Sequence, residues 1–96
     1  MLGFPDINIS NLHLSLSCIF LQGVQFLHQK HIIHNDLVLH NIVVCQKSKN
    51  LYIIDFGEAE YLQDNADRKI KKELQCLAST ILEMAKVCFI YYSIFE

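Results

Sequence analysis

Glycine is scarce in this chain, since Gly3, Gly23 and Gly57 are the only three among 96 residues. A G-x-G-x-x-G loop, whose backbone N–H groups would cradle a phosphate, is therefore excluded. The four cysteines are widely spaced and form no C-x-x-C pair, which predicts reduced thiols in an intracellular protein. The formal net charge is −2, so neither nucleic acid nor an anionic membrane is an expected partner.

The sequence also shows no targeting or membrane-spanning pattern. The first eight residues carry an Asp and no Lys or Arg, so they lack the positively charged start of a signal peptide. The apolar run at 87–95 is too short to span a bilayer core of ~30 Å. We therefore expect a soluble, intracellular, cytoplasmic protein. With 52% hydrophobic content over 96 residues, the chain is expected to form one small domain or part of a larger one.

Two long helices are predicted from apolar residues that recur at three- and four-residue steps. The first runs from Asn8 to Gln29 and contains Gly23, which weakens a helix by ~1 kcal/mol relative to Ala and so indicates a close packing neighbour. The second runs from Asp67 to about Tyr92, with Asn65 or Asp67 as its N-cap. The apolar faces comprise Ile9, Leu12, Leu16, Ile19, Phe20, Val24 and Leu27 in the first helix, and Ile70, Leu74, Leu77, Ile81, Met84 and Cys88 in the second.

Between the helices, the hydrophobic pattern changes to that of strands. Residues 42–45 and 51–54 are two apolar, largely β-branched runs that flank five polar residues, which predicts a hairpin. The hairpin returns the chain, so that Asp55 after the second strand comes near Asn41 before the first. The predicted fold class is therefore α+β, mostly helical.

The segment 34–57 carries the polar side chains suited to phosphate chemistry. Asp36 is followed five residues later by Asn41 and, after the hairpin, by Asp55. The stretches HNDLVLHN and DFG resemble the H-R-D-L-x-x-x-N catalytic loop and the D-F-G metal loop of the protein-kinase-like superfamily. The resemblance covers roughly residues 13–84, which in that superfamily form the core of the large lobe.

The resemblance implies an ATP-dependent phosphotransferase. By their places in the motifs, Asp36 is expected to be the catalytic base, with Asn41 as a second catalytic residue. Asn41 and Asp55 are expected to bind Mg²⁺, and with Phe56 and Gly57 to form the Mg²⁺–ATP site. The partners implied are ATP and a phosphoacceptor that is either a protein or a small molecule.

The motifs also depart from the family pattern. Asn35 replaces the Arg of H-R-D, and Val38 stands where Ser/Thr kinases carry a Lys. Only nine residues separate Gly57 from Asp67, and no A-P-E segment precedes the second helix, so the usual activation loop is not expected. This compact passage is similar to atypical kinases, to the aminoglycoside-phosphotransferase-like group and to fungal kinase-like proteins with an HNDL loop. His34 is expected to hold the loop through hydrogen bonds and not to titrate in catalysis.

The sequence has no counterpart of three features with which the family holds its nucleotide, namely the phosphate loop, the strand Lys and the helix Glu. We therefore expect residues 1–96 to be a single partial kinase-like domain, a C-lobe core without an N-lobe, that is weak or inactive alone. The alternative is a pseudokinase-type interaction module that docks on a kinase or on the missing lobe.

A zinc site is a further alternative. His28, His31 and His34 lie at three-residue steps, which would place them on one face of a continuous helix, and His40 and Cys45 follow further on. The β-branched pair Ile32-Ile33 and the following loop argue against it, because they end the helix near Lys30.

Overall fold

The computed structural model describes residues 9–45, 47–64 and 66–95, and within these ranges it describes side chains from Leu12 to Val87. Two helices, α1 (Ile9–Gln29) and α2 (Asp67–Phe95), pack on two small antiparallel sheets. The predicted α+β, mostly helical class is confirmed. No helix in the described part of the chain is both long enough and apolar enough to cross a membrane. The helix start at Asn8, the N-cap Asn65 and the side chains of Ile9 and Cys88 lie outside what is described.

Helix α1 supplies most of the core. Leu12, Leu16, Phe20 and Val24 recur every four residues and are all buried, as their helical spacing predicts. They pack with Leu37 from the loop after α1, with Leu51 from the hairpin and with Leu77 and Met84 from α2. One stripe of α1 therefore holds both the second helix and the hairpin in place.

Helix α2 runs antiparallel to α1. His13, near the start of α1, forms a hydrogen bond through Nε2 to the Ile81 carbonyl at 3.0 Å. His28, near the end of α1, forms a hydrogen bond to Glu73, which lies earlier in α2. Asp67 lies in the first turn of α2 and not before it, so one of the two predicted N-cap candidates is wrong.

The buried face of α2 differs from the predicted apolar stripe. Leu77 and Met84 are buried, as expected, but the polar residues Glu73 and Thr80 are buried with them. Leu74 was predicted to be in the core, yet it is 46% exposed. Glu73 lies on the inner face because its carboxylate bonds to the loop after α1, and this rotates the neighbouring Leu74 towards solvent.

One sheet flanks the motif segment 34–57, and the other lies within it. Strand β1 (Ile32–Ile33) pairs with β4 (Glu60–Tyr61), an association that the sequence did not indicate. Strands β2 (Ile42–Cys45) and β3 (Asn50–Ile53) form the predicted hairpin, in which β3 begins one residue early, and Ile42 lies opposite Ile53. A single 3₁₀ turn, Leu39–Asn41, leads into β2.

The close neighbour expected at Gly23 is present. A Cβ atom built at this position would lie 3.2 Å from Cδ1 of Ile53. That methyl group is the end of a flexible side chain, and both residues line a groove between α1 and β3. Helix α1 therefore passes close to the hairpin just before the site.

We expect Gly23→Ala to raise the free energy of unfolding by about 0.5 kcal/mol, because the helix gains ~1 kcal/mol of propensity and the Ile53 methyl group can rotate into the groove. Urea denaturation would measure the change. Gly23→Leu is the matched control, and its larger side chain should instead destabilise. A loss of stability in Gly23→Ala would show that the Ile53 side chain cannot move away from the added methyl group.

Candidate active site

His34 fixes the start of the catalytic-loop segment. It is buried, and its Nε2–H donates to the Ile54 carbonyl at 2.9 Å while Nδ1 accepts from the Asp36 backbone N–H at 3.1 Å. Because a carbonyl only accepts, these two bonds place the ring proton on Nε2. The ring also contacts Phe56 edge to face, with centroids 4.7 Å apart. His34 therefore links the two motifs through hydrogen bonds and a ring contact, which is the structural role predicted for it.

Asn41 and Asp36 are held together directly. The Asn41 Nδ2 group donates both to the Asp36 backbone carbonyl and to its carboxylate Oδ2, each at 2.9 Å. Asn41 is only 2% exposed, yet its Oδ1 has no hydrogen-bond donor among the described residues. The Asp36 Oδ1 atom is likewise without a partner in the described part of the chain. Asn41 and Asp36 thus each keep one side-chain oxygen that accepts no hydrogen bond within the described part of the chain.

Asp55 lies two residues after the end of β3. The Ile54 N–H donates to the Asn41 carbonyl at 2.9 Å, which brings the two motifs side by side. Asp55 has a φ of 60°, a left-handed conformation that Asp tolerates better than most residues, and its side chain is exposed. Its Oδ1 accepts from the Gly57 N–H at 3.2 Å, and a Cβ at Gly57 would lie only 3.1 Å from that oxygen. Gly57 therefore permits the close turn that orients Asp55.

Helix α2 anchors the same loop through a buried carboxylate. Glu73 Oε2 accepts from the His34 backbone N–H at 3.1 Å and bonds to His28 Nε2 at 2.8 Å, while Oε1 accepts from the Asn35 backbone N–H at 2.8 Å. Thr80, two turns further on, donates its hydroxyl to the Leu37 carbonyl. The loop is thus bonded to the helix on both sides of Asp36.

Glu73 and Thr80 were not predicted from the sequence as residues that support the site. Both lie at helical spacing with Leu77 and Met84, so an acidic and a hydroxyl residue fall on a core face. Buried polar groups are nearly always hydrogen-bonded, and this spacing was the signal that could have indicated two anchoring residues.

The histidines do not form a zinc site. His28 and His34 are committed to Glu73 and Ile54, and His31 lies exposed in the turn after α1 with a φ of 60°. Within the described ranges, no three His, Cys, Asp or Glu side chains are grouped to hold a metal ion. Asn41 and Asp55 are not such a group, because together they supply one amide and one carboxylate.

One thiol has a perturbed pKa, but it lies away from the site. Hydrogen bonds from the Ser48 hydroxyl, and then from the backbone N–H groups of Ser48 and Lys47, lower the pKa of Cys45. Cys45 ends β2 on the side of the hairpin turn, whereas Asn41 precedes the start of that strand. We assign Cys45 no part in the site.

Comparison with known sequences decides the family. The sequence profile of the protein kinase domain matches residues 11–85, which is well over half of the chain. The chain belongs to the protein kinase domain family. The match contains the catalytic-loop and metal-loop motifs of this kinase-domain chain, together with the α2 residues that anchor them.

Individual relatives are kinases of much greater length. The chain is 44% identical over 46 residues to the meiosis-specific serine/threonine-protein kinase mek1 of Schizosaccharomyces pombe, covering 45% of this chain and 10% of that protein. It is 37% identical over 60 residues to the serine/threonine-protein kinase KIN4 of Saccharomyces cerevisiae, covering 62% and 7%. It is 34% identical over 70 residues to the MAP kinase kinase kinase wis4 of S. pombe, covering 68% and 5%. This chain thus spans a tenth or less of each of these three relatives, and no solved structure matches it.

In this kinase-domain chain, Asn35 occupies the place of the motif Arg. Its φ of 71° is again left-handed, a conformation that Asn adopts readily. Its Nδ2 donates to the Glu58 carbonyl at 3.0 Å. Asn35 therefore ties the catalytic loop to the segment that follows Gly57, by a neutral hydrogen bond.

Proposed function

We propose that this chain is the large-lobe core of a protein-kinase-like phosphotransferase, with residues 1–96 forming one partial domain. Asp36 is the catalytic base, and Asn41 and Asp55 are the ligands of Mg²⁺–ATP. Phe56 and Gly57 complete the nucleotide side, since one packs on His34 and the other orients Asp55. The observation that carries the proposal is the buried Asn41 Oδ1, which has no donor among the described residues.

The donor set fits a magnesium ion. Mg²⁺ prefers oxygen ligands and keeps several waters and phosphate oxygens in its shell, so two protein oxygens are sufficient. The Asn41 amide oxygen is neutral and fixed, because its Nδ2 group is held twice by Asp36. The Asp55 carboxylate is anionic and exposed, with Oδ1 held by Gly57 and Oδ2 left available. When bound, the ion would neutralise charge on the transferred phosphoryl group.

Asp36 has the geometry of a base for the acceptor hydroxyl. One carboxylate oxygen is held by Asn41, which fixes the side chain, and the other is available to accept a proton. In the transfer, the acceptor oxygen bonds to the γ-phosphorus of ATP while the bond from that phosphorus to the β–γ bridging oxygen breaks. ADP leaves with the bond electrons, and the hydroxyl proton passes to Asp36.

We expect Mg²⁺–ATP to stabilise the chain, and Asp55→Asn to abolish that stabilisation because the anionic ligand is lost. Differential scanning fluorimetry measures it. At a nucleotide concentration ten times the dissociation constant, the gain is about 1.4 kcal/mol, or roughly 6–11 °C in Tm for a domain of this size. Asp64→Asn is the matched control, because that exposed carboxylate lies outside the site and its loss should leave the shift intact. An unchanged shift in Asp55→Asn would contradict the assignment.

A second candidate function is supported by one surface. An apolar groove of about 410 Å³ lies between α1 and β3, and Phe56 at its edge is 47% exposed. A non-catalytic module could bind a separate kinase lobe there, by burial of this surface. Analytical ultracentrifugation of the chain with a separately produced kinase small lobe would test it. Association that survives Asp55→Asn and needs no nucleotide would favour the module, and two independently sedimenting species would reject it.

A further inference from the structure

The segment that follows the metal loop is held against the start of the catalytic loop. Strand β4 pairs with β1, and the Leu62 N–H donates to the His31 carbonyl at 2.7 Å. These contacts run through the backbone, so they require no particular side chain. Nearer to Gly57 the contact is made by a side chain, because the Asn35 Nδ2 group donates to the Glu58 carbonyl at 3.0 Å. The position of the segment next to the metal loop therefore depends on which residue stands at position 35.

The Glu58 carbonyl that Asn35 holds belongs to a β-turn. The Ala59 N–H donates to the carbonyl three residues earlier, that of Phe56, at 3.1 Å. Gly57 and Glu58 are therefore the two central residues of the turn. In the same turn, the Gly57 N–H donates to Oδ1 of Asp55 at 3.2 Å. A group that holds the Glu58 carbonyl thus also restricts the N–H group that orients the Asp55 carboxylate.

Asn35 is itself fixed from the other side. Its backbone N–H donates to Oε1 of Glu73 on α2 at 2.8 Å. Its φ of 71° is left-handed, a conformation that Asn adopts more readily than most residues. The side-chain amide carries no charge, so its bond to the Glu58 carbonyl needs no anionic partner and is little affected by salt. Asn35 therefore connects α2 to the turn by two hydrogen bonds.

We propose that Asn35 is a positioning residue for the metal loop, which holds Asp55 in the orientation that binds Mg²⁺. It acts through the Glu58 carbonyl and the turn, and the Gly57 N–H passes the constraint to the carboxylate. This inference rests on the proposed function, because Asp55 is the anionic magnesium ligand there. The bond to Glu58 is made in the unmodified chain, so the metal loop does not depend on a charged modification for its position.

Two glycine variants provide the matched pair. Asn35→Gly removes the amide alone, because glycine adopts the left-handed conformation without steric cost and keeps the backbone N–H that bonds to Glu73. His31→Gly is the control. His31 is also exposed and left-handed, with a φ of 60°, but it holds the segment after the metal loop through its backbone carbonyl. The two variants therefore change the backbone alike, and only Asn35→Gly loses a contact with the turn.

Isothermal titration calorimetry would measure the Kd of Mg²⁺–ATP for both variants, well below their melting temperatures. We expect Kd to rise about two- to tenfold in Asn35→Gly, the range that corresponds to one lost hydrogen bond, and to stay unchanged in His31→Gly. A general loss of stability leaves the Kd of the folded chain as it was, so Kd separates positioning from a structural role. The rise should persist at high salt, because the group removed is neutral.

The link from Asn35 to Asp55 is tested without nucleotide. In the ¹⁵N-labelled Asn35→Gly chain, the Ala59 amide nitrogen should shift, because its peptide group contains the Glu58 carbonyl that has lost its donor. The Gly57 amide should exchange faster with solvent, because its bond to the Asp55 carboxylate is less constrained. A Gly57 amide that exchanges as it does in the wild-type chain would overturn the proposal.

Asn35→Asp is a second variant, in case the glycine chain does not fold. Aspartate also tolerates the left-handed φ, but it places an oxygen acceptor against the Glu58 carbonyl, so it should weaken Mg²⁺–ATP binding at least as much. If the wild-type chain binds Mg²⁺–ATP through Asp55 and an Asn35 variant binds it equally well, the role of Asn35 is rejected and the proposed function stands. If the wild-type chain shows no binding that depends on Asp55, the proposed function is rejected, and the role of Asn35 in magnesium binding with it.

Discussion

Glu73→Ala is expected to lower the free energy of unfolding by about 3–5 kcal/mol, the usual cost of removing one partner from a buried charged cluster. The substitution leaves the backbone N–H groups of His34 and Asn35 without an acceptor and removes the partner of His28. The free energy of unfolding of a domain of this size is only about 5–15 kcal/mol in total, so the substitution should remove a large part of it. Urea denaturation followed by circular dichroism would measure the change.

Glu83→Ala is the control for this prediction. Glu83 lies on the same helix and is exposed, so its loss should change stability by no more than about 0.5 kcal/mol. If the two variants were equally stable, the loop would not depend on Glu73. Any Glu73→Ala protein that stays folded should also bind Mg²⁺–ATP less well, because the loop that carries Asp36 and Asn41 would have lost its anchor on α2.

Phe20→Ala is expected to destabilise the chain by a similar amount, about 3–5 kcal/mol. Phe20 is 0% exposed and lies in the middle of the α1 stripe, among the core residues contributed by α2, the loop and the hairpin. Truncation to Ala leaves a cavity that this small core has few side chains to fill. Thermal unfolding should show a clear loss of Tm, or a chain that no longer melts cooperatively.

Phe26→Ala provides the comparison on the same helix. Phe26 is 56% exposed, and its ring lies beside the Lys30 ammonium group, which is 5.6 Å from the ring centroid. Its removal should cost about 1 kcal/mol or less, since exposed cation–π contacts are weak. A loss as large as that of Phe20→Ala would mean that the exposed face of α1 is covered in solution.

The site and the core depend on each other through α2. Glu73 and Thr80 bond to the catalytic loop from the same helical face on which Leu77 and Met84 pack against the core. A shift of α2 would therefore move the loop as well as the core. This arrangement explains why Glu73 lies on the buried face of α2, where the apolar pattern predicted Leu74.

Local patterns in the sequence were sufficient for the elements and for the nearness of the two motifs. The helical period of α1 and the two apolar runs of the hairpin are short-range signals, and both predicted elements are present with boundaries close to those expected. The hairpin follows from residues adjacent in the chain, so the approach of Asp55 to Asn41 needed no knowledge of the rest of the fold. The roles of Asp36, Asn41, Asp55, Phe56 and Gly57 remain predictions.

Tertiary structure decided what depends on partners far apart in the chain. The pairing of β1 with β4 joins segments almost thirty residues apart, and two-residue strands have too little local pattern to be recognised. The burial of Glu73, and not of Leu74, on the inner face of α2 also depends on partners far apart in the chain. Apolar periodicity predicts only which residues pack against other apolar side chains. Glu73 is buried for a different reason, because two backbone N–H groups and His28 require an acceptor at that position. The sequence by itself determined the elements and their local order, and only the folded chain determined which polar groups would satisfy one another.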